Sequence, residues 1–315
     1  MTSHRSTAPL ATPLKILIVC SGNKNRINSF IQEQSAALQE QQVRTTFFFI
    51  QGKGISGYLR NYFRLRKMIK AEGIDIVHAH YGLSGLLAVL QRTAPVVVTF
   101  HGSDVNQRKT QLLSRIAAAL SSHNILVEES FVRKLNLKKN YTVLPCGVDL
   151  VNFYPCDKNK ARAQLSIDPA EKIVLFSSAF DNRIKNYPLA RASVEKVPGA
   201  RLVELKGYSR SEIHLLMNAA NLLLVTSFSE GSPQVVKEAL SCNLPVISTA
   251  VGDVPELLQD VEPSFIVDYD SVSIARAIKH LTAREKRSNG RMVAYKLDNK
   301  LIATKIIDIY QSVRK

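Results

Sequence analysis

Two glutamates eight positions apart, Glu230 and Glu238, bracket a segment that opens Ser229-Glu230-Gly231-Ser232-Pro233. Serine and proline suit the start of a helix, where unpaired backbone N–H groups and the positive end of the helix dipole favour an anion, phosphate above all. The chemistry this segment can support is therefore phosphate-linked, with two carboxylates nearby. Residues 222–225 read as a buried strand leading into the loop, so both carboxylates fall near the carboxyl ends of strands, where open α/β sheets bind ligands. Glu230 is expected in the loop before the helix and Glu238 roughly two turns down it. Spacing alone leaves a second account open, in which Glu230 merely favours a helix N-terminus and Glu238 is a solvated helix residue.

A second group, Phe100-His101-Gly102-Ser103-Asp104, follows an apolar run at 96–100. His101 can donate or accept a hydrogen bond, and Gly102 permits close approach of a substrate. Acid–base work and polar recognition suit His101 and Asp104 equally. The alternative is a structural turn in which Ser103 or Asp104 caps a short helix. His78 and His80 share one side of a strand, but no compact carboxylate–histidine cluster stands beside them for a metal. Strand-end structural roles are favoured, with His80 and Tyr81 as acceptor contacts. In the second half, Phe180-Asp181-Asn182-Arg183-Ile184-Lys185-Asn186 follows a strand at 174–178. Arg183 and Lys185 suit neutralising a diphosphate as its charge departs. Lys185 is preferred because it borders the following helix, and Gly231 and Ser232 add a helix-start anion site. A solvated cationic loop is the alternative.

These residues need a scaffold. Short β-branched strands are expected at 15–20, 43–50, 74–79, 96–100, 124–127 and 141–144, separated by amphipathic helices, which argues for a largely parallel sheet covered on both faces. Ser21-Gly22 and Lys53-Gly54 fall just beyond strand ends, where glycine permits tight turns and close ligand approach. The alternation lapses at 149–169 and resumes with strands at 173–177, 201–205, 222–225, 245–248 and 265–267. This predicts a domain over 1–155 and a second over 156–295, with a cleft joining both sets of carboxyl-end loops. A last element at 296–315, overlapping a segment at 292–313 that reads as one unusually long helix, is expected to pack back on the first domain.

The 315 residues suffice for two cores, and they carry a net charge of +16. Residues 1–150 hold 19 Lys or Arg against 8 Asp or Glu, so the first half carries most of the attraction for anions. Between residues 59 and 70, helical spacing gathers Arg60, Arg64 and Lys67 on one side and Tyr62, Leu65, Met68 and Ile69 on the other. That face suits either water or acidic phospholipid headgroups, with further bases at Arg108, Lys109, Arg133, Lys134, Lys138 and Lys139. No zinc-finger pattern or aromatic RNA-binding signature accompanies the charge, so nucleic acid is not expected. No apolar run approaches bilayer length and the polar first residues lack a secretory segment, which predicts a cytoplasmic protein, peripheral at most to the inner membrane face. Cys20, Cys146, Cys156 and Cys242 form no CxxC pair and read as reduced thiols.

Taken in order, HGSD at 101–104, LPCGVD at 144–149, KN at 185–186, EGSPQVVKE at 230–238 with its E-x7-E spacing, and VISTAVGDVPELL at 246–258 resemble the family-4 retaining glycosyltransferases. The resemblance extends over nearly the whole chain. It implies a GT-B fold of two facing Rossmann-like domains, a nucleotide-sugar donor held mainly by the second, and an acceptor approaching from the first. Glu230 matches the carboxylate that contacts donor sugar hydroxyls, Glu238 the one that holds the nucleotide ribose, and Lys185 the diphosphate-binding lysine. His101 matches a histidine near the transferred sugar, Gly22 falls in the glycine loop near the cleft, and Gly231, Ser232 and Pro233 complete the donor site. His80, Tyr81 and Asp104 are assigned to the acceptor side. The family's arginine five positions before the lysine is Phe180 here, with Arg183 as its substitute. The family implies no cofactor and no divalent metal, same-face attack with retention, UDP-sugars among the donors, and acceptors of the capsule or lipid-linked glycan kind. The rivals are a GT-B epimerase or phosphorylase and an inactive anion-binding module on the same scaffold.

Overall fold

A computed structural model of the chain describes residues 13–22, 27–52 and 54–314. The opening residues 1–12, where no secretory segment is expected, and Lys53 lie outside them. The first lobe is a parallel sheet of β1 (Lys15–Ser21), β2 (Arg44–Ile50), β3 (Ile76–His80), β4 (Val96–Phe100), β5 (His123–Leu126) and β6 (Tyr141–Val143), in the order β2-β1-β3-β4-β5-β6. The second is a parallel sheet of β7 (Lys172–Phe176), β8 (Ala200–Val203), β9 (Leu222–Val225), β10 (Val246–Thr249) and β11 (Phe265–Val267), in the order β11-β10-β9-β7-β8. Both are doubly wound.

The apolar runs explain the layers. In β1, Leu17 and Val19 pack with Leu65, Leu87 and Phe100, while Ile16 and Ile18 meet Ile31, Leu38 and Ile306 on the opposite face. A strand covered by helices on both sides has no polar face, which is why it reads as an unbroken run rather than an alternation. The second sheet does the same, with Ile173 and Leu175 in one core and Val174 and Phe176 in the other.

Three expectations are corrected. The strand expected at 74–79 begins at Ile76, because the Ile74 N–H turns back to the Ile69 carbonyl and closes the preceding helix. The strand expected at 201–205 ends at Val203, and the Leu205 N–H bonds the Ser178 carbonyl instead. The segment 292–313 is not one helix. A turn of helix at Arg291–Ala294 and a 3-10 turn at Tyr295–Leu297 stop at Asp298, whose side chain caps a new helix, Asn299–Val313, by accepting from the Lys300 N–H. That helix sends Ile302, Ala303, Ile306, Ile309 and Tyr310 into the first-lobe core.

The break at Asp298 coincides with a crossing between lobes. Val148, in the earlier connection, donates to the Leu297 carbonyl and accepts from the Asn299 N–H, so the two passages of the chain are bonded to each other.

Candidate active site

The loops beyond the strand ends of both sheets face each other across a cavity of about 960 Å³, at the upper end of the size usual for small-molecule sites. Asn28, Phe30, Tyr81 and His101 line it from the first lobe, and Arg183, Lys185, Glu230 and Ser232 from the second.

Lys185 and Glu230 form its charged centre. Lys185 Nζ lies 2.6 Å from Glu230 Oε1, which also accepts from Ser227 Oγ at 2.6 Å. Both side chains are mostly enclosed yet reach the cavity. Lys185 is placed by local rules: Asn182 caps the 3-10 turn Arg183–Lys185, Asn186 adopts the left-handed conformation asparagine tolerates, and Thr226 Oγ1 donates to the Lys185 and Asn186 carbonyls. Arg183 is exposed on the same turn. Phe180 does not reach toward the cavity as a cation would; it stacks on Tyr187 with centroids 4.2 Å apart and packs on Phe176.

The helix expected after Ser232 runs Gln234–Ser241. Glu238 is its fifth residue, little more than one turn in, a correction to the two turns expected. Pro233 stands at the N-cap and supplies no side-chain cap; the Val236 N–H bonds the Pro233 carbonyl, and among the described residues no side-chain oxygen caps this helix start. The Ser232 hydroxyl is committed to Asp253, whose carboxyl burial pushes up to about 6.

Close approach at the lobe junction depends on glycine. A side chain on Gly231 would place its Cβ 2.4 Å from the His101 carbonyl oxygen, and one on Gly252 would sit 2.0 Å from the Gly231 carbonyl oxygen. The HGSD loop and the EGSP loop therefore touch backbone to backbone. Asn106 Nδ2 ties them further, donating to Ser229 Oγ at 3.0 Å and to the Glu230 carbonyl at 3.1 Å.

His101 reaches the cavity, but both its ring nitrogens have protein partners: Nε2 lies 3.0 Å from His80 Nδ1 and Nδ1 lies 3.6 Å from Cys146 Sγ. The His80 ring stacks between those of His78 and His101. His80 lies behind the cavity wall. Tyr81 is on it, held at φ 71° in a conformation costly for a side chain of its size, with its ring 4.6 Å from that of His101. Asp104 is buried away from the cavity, accepting from the backbone N–H groups of Gly82, His101 and Gly102. It builds the loop that carries His101, which is the structural turn kept open as the alternative. Gly22 is off the wall too, packed against Phe49 and bonded to the Ile50 carbonyl. Glu238 is buried and accepts from Arg210, outside the cavity lining.

Burial pushes His78 and His101 down to about 3 and His80 well below its ordinary range, so all three are neutral at pH 7. Below about 6.5, the unfolded chain takes up these protons and the folded one does not, so stability falls as pH falls, by about 1.4 kcal/mol per pH unit for each imidazole. Asp253, raised to about 6, works in the opposite sense with one proton. Urea unfolding at pH 7.5 and 6.0 should give the lower stability at pH 6.0; equal or greater stability there would contradict the neutral trio.

The residues that sequence patterns missed are Asp253, Asn106, Lys237, Arg210 and Glu33. Asp253 was findable, since it lies just beyond a strand end in the GDVPE run. Lys237 is wholly buried and donates to the Cys146 carbonyl at 2.7 Å, a partner that no helical spacing reveals.

Residues 21–152 match the family model described as Glycosyltransferase Family 4, and residues 178–284 match that of Glycosyl transferases group 1. A D-inositol 3-phosphate glycosyltransferase of Mycobacterium marinum is 24% identical over 271 residues, 70% of this chain and 58% of that protein. The chain spans about three-fifths of the length of the curated relatives it matches. Sucrose-phosphate synthase of Thermosynechococcus elongatus superposes with a TM-score of 0.82 at 18% identity, covering 95% of this chain and 98% of that one. Anabaena HepE in complex with UDP and glucose superposes with a TM-score of 0.74 at 16% identity, covering 95% and 100%. With one family model on each lobe and this two-sheet architecture, the chain belongs to the family-4 glycosyltransferases of GT-B fold.

Proposed function

We propose that the chain is a retaining, metal-independent glycosyltransferase that moves a hexose or N-acetylhexosamine from a nucleotide-diphosphate sugar, UDP-sugars foremost, to a hydroxyl of a glycan or lipid-linked acceptor. The observation that carries this reading is the Lys185–Glu230 pair on the cavity wall beside a helix start that has no side-chain cap. A diphosphate entering there attracts the Lys185 ammonium and the N–H groups near Gly231 and Pro233's helix, and releases Glu230 to accept hydrogen bonds from sugar hydroxyls. Arg183 adds a second cation from the same turn. As the anomeric carbon–phosphate oxygen bond breaks, the negative charge gathers on the phosphate these groups hold. The acceptor oxygen bonds to the same face of the sugar and its proton passes to the departing phosphate. No side chain need act as a nucleophile, and a cation and backbone amides carry the charge that a divalent metal would otherwise carry.

His101, neutral and with both ring nitrogens engaged, shapes the sugar pocket with its ring and orients by contact rather than by proton transfer. Tyr81, Asn28 and Phe30 form the acceptor wall. His80 and Asp104 support that wall from behind. Incubation with a panel of nucleotide sugars and alcohol acceptors, in the presence of a chelator, tests the reading. The expected products are a nucleoside diphosphate and a glycoside of unchanged anomeric configuration. Sugar isomerisation without acceptor would point to an epimerase, phosphate-dependent cleavage to a phosphorylase, and binding without turnover to an inactive module.

The first lobe suits a cytoplasmic enzyme working at an anionic bilayer. On helix Gly54–Glu72, Arg60, Arg64 and Lys67 are exposed beside Phe63, while Leu65 and Ile69 are buried. On helix Arg108–Leu120, Leu112, Ile116 and Leu120 are exposed one turn apart, with Arg108 and Lys109 at its start. Among the described residues no helix is long and apolar enough to cross a membrane. Sedimentation with phosphatidylglycerol vesicles should exceed that with phosphatidylcholine, and reversing Arg60, Arg64 and Lys67 to glutamate should remove most of the difference. Equal binding to both vesicles would refute membrane docking.

A further inference from the structure

One guanidinium joins the lobes at the carboxylate assigned to the nucleotide. Arg210, the first residue of helix Arg210–Ala219 in the second lobe, puts one terminal nitrogen 2.6 Å from Glu238 Oε1 and the other 2.6 Å from Glu33 Oε1. Glu33 belongs to helix Ser29–Glu40 of the first lobe. The guanidinium also lies 4.5 Å over the Phe153 ring, which fixes its plane. Glu33 Oε2 is buried with no partner among the described residues, so the hydrogen bonding of this carboxylate runs through Arg210 alone.

The division of the guanidinium matters because of what it prevents. An arginine facing one carboxylate settles into a two-pronged pair that occupies both oxygens. Here Glu33 holds back one prong, and the Glu238 carboxylate accepts no side-chain hydrogen bond other than that from Arg210 among the described residues. We propose that Glu33 and Arg210 are positioning residues for the nucleotide site: by sharing the guanidinium across the lobes, Glu33 keeps one oxygen of Glu238 free for the ribose hydroxyls. This rests on the reading of Glu238 as the ribose carboxylate. Loss of the Glu33 charge lets Arg210 swing wholly onto Glu238 and close that oxygen off. A residue of the first lobe thereby sets the affinity of a ligand held by the second.

The test is a double-mutant cycle read by calorimetry with whichever of UDP, GDP and ADP binds the wild-type protein most tightly. Glu33→Gln should weaken that nucleotide by about tenfold. In the Arg210→Gln background the same Glu33→Gln change should have no effect, because the path between the lobes is already cut. Affinity for inorganic pyrophosphate, which has no ribose, should be the same with and without Glu33→Gln, a selectivity that mere loosening of the fold would not produce. Wild-type affinity in Glu33→Gln, equal weakening in both backgrounds, or parallel loss of pyrophosphate would each overturn the proposal. If none of the three nucleotides binds the wild-type protein, the donor-site reading itself falls, and this coupling with it.

Discussion

Lys185→Ala should lower the rate of sugar transfer by about 10²–10³-fold while leaving the melting temperature near that of the wild-type protein. The ammonium is held within 2.6 Å of a carboxylate at the cavity wall, so an incoming diphosphate replaces one anion by another at a site already organised for it. Its attraction grows as charge develops on the leaving phosphate, so the loss should fall mainly on kcat rather than on KM. The fold is spared because Glu230 keeps the Ser227 hydroxyl as a partner and can be solvated from the cavity. Glu230→Gln should lose transfer comparably, since an amide is a weaker acceptor for sugar hydroxyls and does not draw Lys185 into place. Rates measured beside thermal melts decide the matter: normal transfer by both variants would remove these two residues from the mechanism.

A single methyl group at the lobe junction should be nearly as damaging. Gly231→Ala sets a carbon against the His101 carbonyl where 2.4 Å is available, and neither side of that contact is a side chain that can rotate away. The lobes must part, or the EGSP loop must shift, by something on the order of an ångström, a displacement that costs about 10²-fold when reacting groups depend on alignment. Each sheet has its own cores, so each lobe should remain folded. Small-angle scattering should show an expanded particle, with secondary structure unchanged by circular dichroism. A compact, fully active variant would show that the backbone contact between the HGSD and EGSP loops is dispensable.

The strands were legible because their signal is local. Val96–Phe100 and Leu222–Val225 are buried on both faces, and such runs announce themselves without knowledge of their neighbours. Lys185 and Glu230 were legible as post-strand residues, and the cavity brings them together. The long helix at 292–313 misled because its apolar spacing continues through Asp298; only the pairing with Val148, 150 residues earlier, shows why the chain must turn there. Asp104 looks chemical in HGSD, yet its oxygens bind backbone amides whose positions follow from the fold. Arg210 gave no sign at all. Its partners lie 177 and 28 positions away, and nothing in the intervening sequence links them.

The chain enters and leaves the second lobe at one place, where Val148 is bonded to Leu297 and Asn299. With helix Asn299–Val313 counted in the first lobe, whose core it enters, severing either of these two passages therefore leaves the lobes covalently joined through the other.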